Sequence, residues 1–237
     1  MRLILALLSL VVSLHAADDA GFRSLFNGKD LAGWDGLPSF WSVRDGAITG
    51  QTTTANPLKT NTFLIWKGGD VGNFELHASF RLTGQNTQGF ANSGIQYRSR
   101  IFEAAGFVVG GYQMDMDLSG KYVGMLYEER GRGILMQPGQ TIRIGQIADG
   151  QKKAPVEIVT STPPAEMLAS YRVGEWNDLV IIARGNHLQH FVNGKLTADV
   201  TDNDPAKFAA TGVLALQLHA GTPMTIQFKA LQLKTLP

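Results

Sequence analysis

The segment Gln113-Met114-Asp115-Met116-Asp117 holds the densest candidate chemistry in the chain. Read as a strand, it places Gln113, Asp115 and Asp117 on one face, because successive side chains alternate; Tyr112, Met114 and Met116 take the other. The methionines read as core, and the polar trio then lines a face at about 7 Å per two-residue step. Carboxylates and amides in such a row can move protons or hold hydroxyl groups. A polar strand face can equally be plain solvated surface, so the neighbouring strands have to decide.

Other runs supply polar residues in the same alternating way. Val213 to His219 sets its leucines on one face and Gln217 and His219 on the other. Phe74 to Leu82 alternates apolar residues with Glu75, His77, Ser79 and Arg81. In Ile95-Gln96-Tyr97-Arg98, the arginine lies opposite Ile95 and Tyr97. If these polar faces belong to one sheet, they assemble a patch suited to sugar hydroxyls and a developing oxyanion. The polar trio resembles the catalytic strand of laminarinase-type glycoside hydrolases, with one difference at Gln113. An amide is neither a nucleophile nor a proton exchanger at neutral pH, and ordinary glycoside hydrolysis uses two carboxyl groups. Simple retaining hydrolysis on this strand is therefore disfavoured.

The elements that must position these residues are short strands separated by Gly, Asn, Asp and Pro. Alternation marks Phe63 to Trp66, Phe74 to Leu82, Ile95 to Arg100, Tyr112 to Asp117 and Leu179 to Ala183. Leu188 to Val192, Val213 to His219 and Met224 to Leu233 continue the series, and Asn193-Gly194 is a hairpin signal. Only Pro163 to Tyr171 reads as helical, with proline at its start. Many strands and one short helix mean an all-β sandwich or closed barrel.

Composition narrows the function classes. A chain of 237 residues with 44% hydrophobic and 17% charged residues suits one sizeable globular domain, residues 18–237. A net charge of +1 shows no basic excess for a nucleic-acid surface, and Lys152-Lys153 reads as a loop pair. Arg2, the apolar run Leu3 to Leu14 and the small residues Ala16-Ala17 form the layout of a secretory signal peptide over residues 1–17. That run is too short to span a membrane, so the expected location is the periplasm or the exterior of a bacterium. There is no cysteine, which excludes disulfides, thiol catalysis and thiolate metal sites. No phosphate-binding loop or dinucleotide fingerprint is present. His77, His187, His190 and His219 show no diagnostic metal-ligand spacing. Trp34, Trp41, Trp66 and Trp176 read first as packing residues, with sugar stacking as the alternative.

Gly21-Phe22-Arg23-Ser24-Leu25-Phe26-Asn27-Gly28-Lys29-Asp30-Leu31-Ala32-Gly33-Trp34 resembles the opening motif of the bacterial 3-keto-disaccharide hydrolase domain family. Further matches lie at Trp41 to Ile48, Asn92 to Arg98, Gly111 to Asp115, Gly124 to Glu128, Gly174 to Asn177, His190 to Gly194 and Leu216 to His219. The closing Phe228-Lys229-Ala230-Leu231 lacks the Arg-Asn pair common in that family, and Gln151 to Tyr171 is individual to this chain. The resemblance implies a concanavalin A-like jelly roll of two antiparallel sheets, with an oligosaccharide or glycoside as substrate. It implies cleavage of glycosides already oxidised at C3, by proton abstraction at C2, elimination at C1 and hydration. On that chemistry Glu75, Asp115 or His219 is the base, Arg98 holds the enolate, and Tyr127 or Glu128 donates the proton. Asn92, Gln113 and Gln217 hold hydroxyls. No particular cofactor is implied, and a divalent metal on carboxylate and histidine ligands could replace the arginine. The contrasting expectation is a carbohydrate-binding module that turns nothing over.

Overall fold

The computed structural model describes residues 21–84 and 91–237, except for the side chain of Leu168. The expected signal peptide, residues 1–17, lies outside them. In chain order the described residues form β1 (Arg23–Ser24), β2 (Trp34–Asp35), β3 (Trp41–Arg44), β4 (Ala47–Gln51), β5 (Thr62–Trp66) and β6 (Phe74–Gly84). Next come β7 (Asn92–Glu103), β8 (Val108–Asp117), β9 (Leu126–Glu129), β10 (Gly133–Ile134), β11 (Gln140–Ile144) and β12 (Val156–Ser161). The helix α1 (Pro164–Leu168) is followed by β13 (Asn177–Arg184), β14 (His187–Val192), β15 (Lys195–Asp202), β16 (Val213–Leu218) and β17 (Met224–Thr235).

These strands build two sheets, as a jelly roll requires. A ten-stranded sheet runs β12-β11-β15-β14-β13-β6-β17-β4-β3, with β1 beside β17. A seven-stranded sheet runs β10-β9-β8-β7-β16-β5-β2. Pairing is antiparallel except between β11 and β15. The chain reaches β11 from β10 in the opposite sheet, so no hairpin dictates its direction there.

The alternation read in the sequence is the alternation that buries the core. Phe74, Leu76, Ala78, Phe80 and Leu82 of β6 point inward, and Tyr112, Met114 and Met116 of β8 meet the same core from the other sheet. The β14–β15 hairpin turns on Asn193 and Gly194, both at positive φ (48° and 78°), the conformation a two-residue hairpin of matching twist needs. The helix is shorter than its sequence pattern, ending at Leu168.

The second face of the seven-stranded sheet is also buried, and it is divided. Phe63, Ile65, Val109 and Ala215 form a small apolar cluster there. Beside them Asn92, Gln96, Gln113, Asp115 and Gln217 are each 5% exposed or less. Buried polar groups must find partners, and here they largely find one another.

Candidate functional site

Four adjacent strands, β9, β8, β7 and β16, set the polar layer. In the β7–β8 register Gln96 stands opposite Gln113 and Gly94 opposite Asp115, while Gln113 pairs across β8–β9 with Tyr127. Ser99 Oγ donates to Gln96 Oε1 at 2.7 Å, and Gln96 Nε2 donates to Gln113 Oε1 at 2.7 Å. Gln113 Nε2 then divides between Asp115 Oδ1 and Gln217 Oε1, both at 3.4 Å. Gln217 Nε2 donates onward to Glu129 Oε2 at 3.3 Å. The result is a directed relay of amides ending on two carboxyl groups, with Gln113 at its branch.

Gly94 makes room for that branch. A Cβ there would lie 2.5 Å from both Cγ and Cδ of Gln113, so only a glycine lets the amide lie across β7.

The two carboxyl groups open into a cleft of about 240 Å³ lined also by Asn61, Asn92, Tyr122, Met125, Tyr127, Ile134 and His219. Asp115 Oδ1 accepts from Asn92 Nδ2 at 2.8 Å and from the Met116 amide at 2.9 Å. Burial nevertheless dominates and pushes the Asp115 carboxyl up to about 8. With Oδ1 occupied by N–H donors, the retained proton belongs on Oδ2. Burial also raises Glu129, against the pull of Arg130 and of hydrogen bonds from Asn61 and Gln217. It raises the Tyr127 phenol too, helped by the negative charges of Glu129 and Asp115. His219 moves the other way: burial lowers it, opposed by the Ala220 carbonyl, which lies 2.5 Å from Nδ1. That contact makes Nδ1 the protonated nitrogen of a neutral ring.

Of the residues singled out in the sequence, the cleft brings together Asn92, Gln113, Asp115, Tyr127, Gln217 and His219. Three lie elsewhere. Glu75 is on the outer face of the ten-stranded sheet, paired with His77 at 2.7 Å. The idea that all the polar strand faces share one sheet is corrected accordingly. Arg98 sits in a β-bulge at φ 47°, where the β7–β8 register shifts. Its guanidinium donates to the carbonyls of Gly72, Gly185 and Ala209 and to Asn73 Oδ1, which ties loops together away from the cleft. Glu128 faces the sheet's other side, bound to Arg132 Nε at 2.6 Å. Asp117, the third member of the polar trio, is fully buried and accepts from the Ser119 and Tyr122 amides, which makes it a turn-holding group.

Glu129 is the main residue the sequence reading missed. It shares the β9 face of Tyr127 by simple alternation, so the signal was present. Asn61, Tyr122 and Met125 come from loops and carried none. Glu129 also removes the argument drawn from Gln113: a second carboxyl group is present, supplied by the neighbouring strand. Trp34, Trp41 and Trp66 are buried in the core, and Trp176 lies against Lys229 with 4.1 Å from Nζ to its ring centroid. Among the described residues no group of three or more His, Asp or Glu is placed to hold a metal ion.

Residues 21–234 match the 3-keto-alpha-glucoside-1,2-lyase-like domain. The chain belongs to that family. Solved structures of similar fold include a candidate glycosyl hydrolase from Parabacteroides distasonis ATCC 8503, at 19% identity and TM-score 0.55, covering 92% of this chain and 94% of that one. The carbohydrate-binding module CBM66 from Bacillus subtilis is similar at 14% identity and TM-score 0.54, over 86% of this chain and 96% of that one. At such identities the likeness establishes the jelly-roll fold. No curated protein matches the sequence. Membership of the lyase-like family makes the function carbohydrate-related. Among the described residues no helix is long and apolar enough to cross a membrane.

Proposed function

We propose that this member of the lyase-like family cleaves 3-keto-glycosides by elimination across C1 and C2, followed by hydration. The observation that carries the reading is the pairing in one cleft of a buried carboxyl group, Asp115, with a half-buried one, Glu129, both with raised pKa values and joined by an amide relay. Carboxyl groups with raised pKa values in a cleft fit acid–base chemistry, which needs groups that hold or take a proton near neutral pH. This favours an enzyme over a carbohydrate-binding module.

The C3 ketone acidifies the C2 proton. Glu129, made a stronger base by burial, removes it, and the electron pair forms the C2–C3 enolate. Amide N–H groups of Gln113, Gln217 and Asn92 and the Tyr127 hydroxyl surround the cleft and supply donors for that oxygen in place of Arg98. The enolate expels the C1 substituent while Asp115, still protonated near neutral pH, gives its proton to the leaving oxygen. Water then adds at C1 of the enone and a proton returns to C2, giving the free 3-keto sugar. His219, neutral and fixed through Nδ1, is placed to orient a hydroxyl or the attacking water. Export through the N-terminal signal would put this reaction outside the cytoplasm, where glycosides of external origin are met.

A substrate deuterated at C2 tests the reading. Elimination replaces the deuterium by solvent hydrogen in the product, measured against a control without protein. Retention of the deuterium with cleavage at C1 would mean direct displacement by the same two carboxyl groups.

A further inference from the structure

A cleft of about 240 Å³ suits one sugar ring and leaves the rest of a disaccharide without a place. Beside it runs a larger groove of about 780 Å³, and the two share Glu129 and Ile134. Its walls come from β7, the turn after β9, the loop between β11 and β12, and the loop after β15.

The chemistry of this groove differs from that of the cleft. Arg100, Arg130, Lys152, Lys153 and Lys207 line it, and all are exposed. Among the described residues none of these five forms a salt bridge; the bridges at the groove are those of Arg132, to Glu128 and Asp202. The groove's acids are Glu128, matched by Arg132, and Glu129 at the junction with the cleft. The chain as a whole carries a net charge of only +1, so this concentration is local. Arg100 and Arg130 hold their guanidinium carbons 4.5 and 5.7 Å from the Phe102 ring centroid, which keeps two charges at an exposed aromatic platform. Lys152-Lys153, a plain loop pair on sequence grounds, forms part of the wall, within the segment individual to this chain.

Convergent cations in a groove raise the local concentration of anions and set specificity by charge. We infer that the groove receives the leaving-group side of the substrate and selects an acidic aglycone, a sugar residue bearing a carboxylate or sulfate. This rests on the small cleft holding the oxidised ring. Phe102 and Ile134 offer apolar faces to the aglycone ring, and the five cations meet its anionic substituent. The walls shared with the cleft, Glu129 and Ile134, favour a substrate arm over a separate polyanion such as a nucleic acid.

The test reads binding, so it stands apart from turnover. Calorimetry compares three unoxidised disaccharides that differ only at the reducing residue: glucose, glucuronic acid and glucose 6-sulfate. Titrations use the full chain and a Lys152→Ala/Lys153→Ala/Lys207→Ala variant, at about 20 and 200 mM salt, on either side of the screening range. The acidic ligands should bind the full chain about 10-fold or more tightly than the neutral one at low salt. The advantage should close at high salt and in the variant, with the neutral ligand unaffected. The two acidic arms show whether carboxylate or sulfate is the better fit. Equal affinities, no binding of any sugar, a preference that survives the variant, or binding of a short oligonucleotide in place of the acidic sugars would each overturn the inference. Failure to turn over 3-keto substrates would count against the cleft chemistry alone.

Discussion

Glu128 and Glu129 are neighbours in sequence and stand on opposite sides of one sheet. Glu129 accepts from Gln217 Nε2 at 3.3 Å in the cleft, whereas Glu128 is held by Arg132 at 2.6 Å. Strand alternation alone separates a candidate base from a structural acid. Glu129→Gln should lower kcat/KM on a 3-keto-glycoside by roughly 10²–10⁴-fold, the usual range for a lost general base. Glu128→Gln should lower the rate on an uncharged 3-keto-glycoside far less than Glu129→Gln does, and cost about 2 kcal/mol of stability from the weakened Arg132 pair. Rates and thermal melts of the two variants check this, and the reverse pattern contradicts it.

Asp115 as proton donor gives a leaving-group signature. Asp115→Asn should lose roughly 10²-fold or more on an alkyl 3-keto-glycoside, whose leaving oxygen needs a proton. On an aryl 3-keto-glycoside with a nitrophenolate leaving group, the loss should be slight. Equal losses on both substrates would assign Asp115 to a different step. The parent's rate on the alkyl substrate should fall as pH rises through about 8, where the Asp115 proton is lost.

The same group links stability to pH. Asp115 ionises near 3.8 in an unfolded chain and at about 8 in the folded protein. Below the lower value both states are protonated. Between the two values the unfolded state binds fewer protons than the folded state, so stability falls as pH rises, until both are ionised. Asp115→Asn does not titrate. Its Tm relative to the parent should therefore climb steadily from pH 5 to pH 8, and a flat or shrinking difference in scanning calorimetry would contradict the raised pKa.

Gly94→Ala tests the relay without touching a titratable group. The new methyl lies 2.5 Å from Gln113 carbons and must push the amide off Asp115 and Gln217. A displacement of that order costs up to about 10²-fold in a preorganised site. The expected result is a clear drop in kcat/KM with the fold retained by circular dichroism. An unchanged rate would mean that the relay does not position the carboxyl groups.

Strand positions were legible because β6, β8 and β16 alternate so cleanly that one face had to be core. The branch at Gln113 was visible as a polar residue in the right place, though its chemistry looked like a missing carboxylate until β9 supplied Glu129. Arg98 was not legible: a non-glycine residue at positive φ in a bulge breaks the parity rule, and nothing local announces it. Glu75 failed for a different reason. Alternation places a residue on a face but does not say which sheet holds the strand, and β6 belongs to the ten-stranded one. The loop residue Asn61 reaches the cleft only through tertiary packing, where its Oδ1 accepts from the Ala220 amide at 2.9 Å.

The most direct measurement is product analysis by NMR after incubating the purified protein with a 3-keto-disaccharide and, separately, its unoxidised counterpart. The expected result is release of the aglycone and the 3-keto sugar from the oxidised substrate, with the unoxidised one recovered intact. Cleavage of the unoxidised disaccharide at a comparable rate, or no consumption of the oxidised one, would contradict elimination chemistry in this cleft.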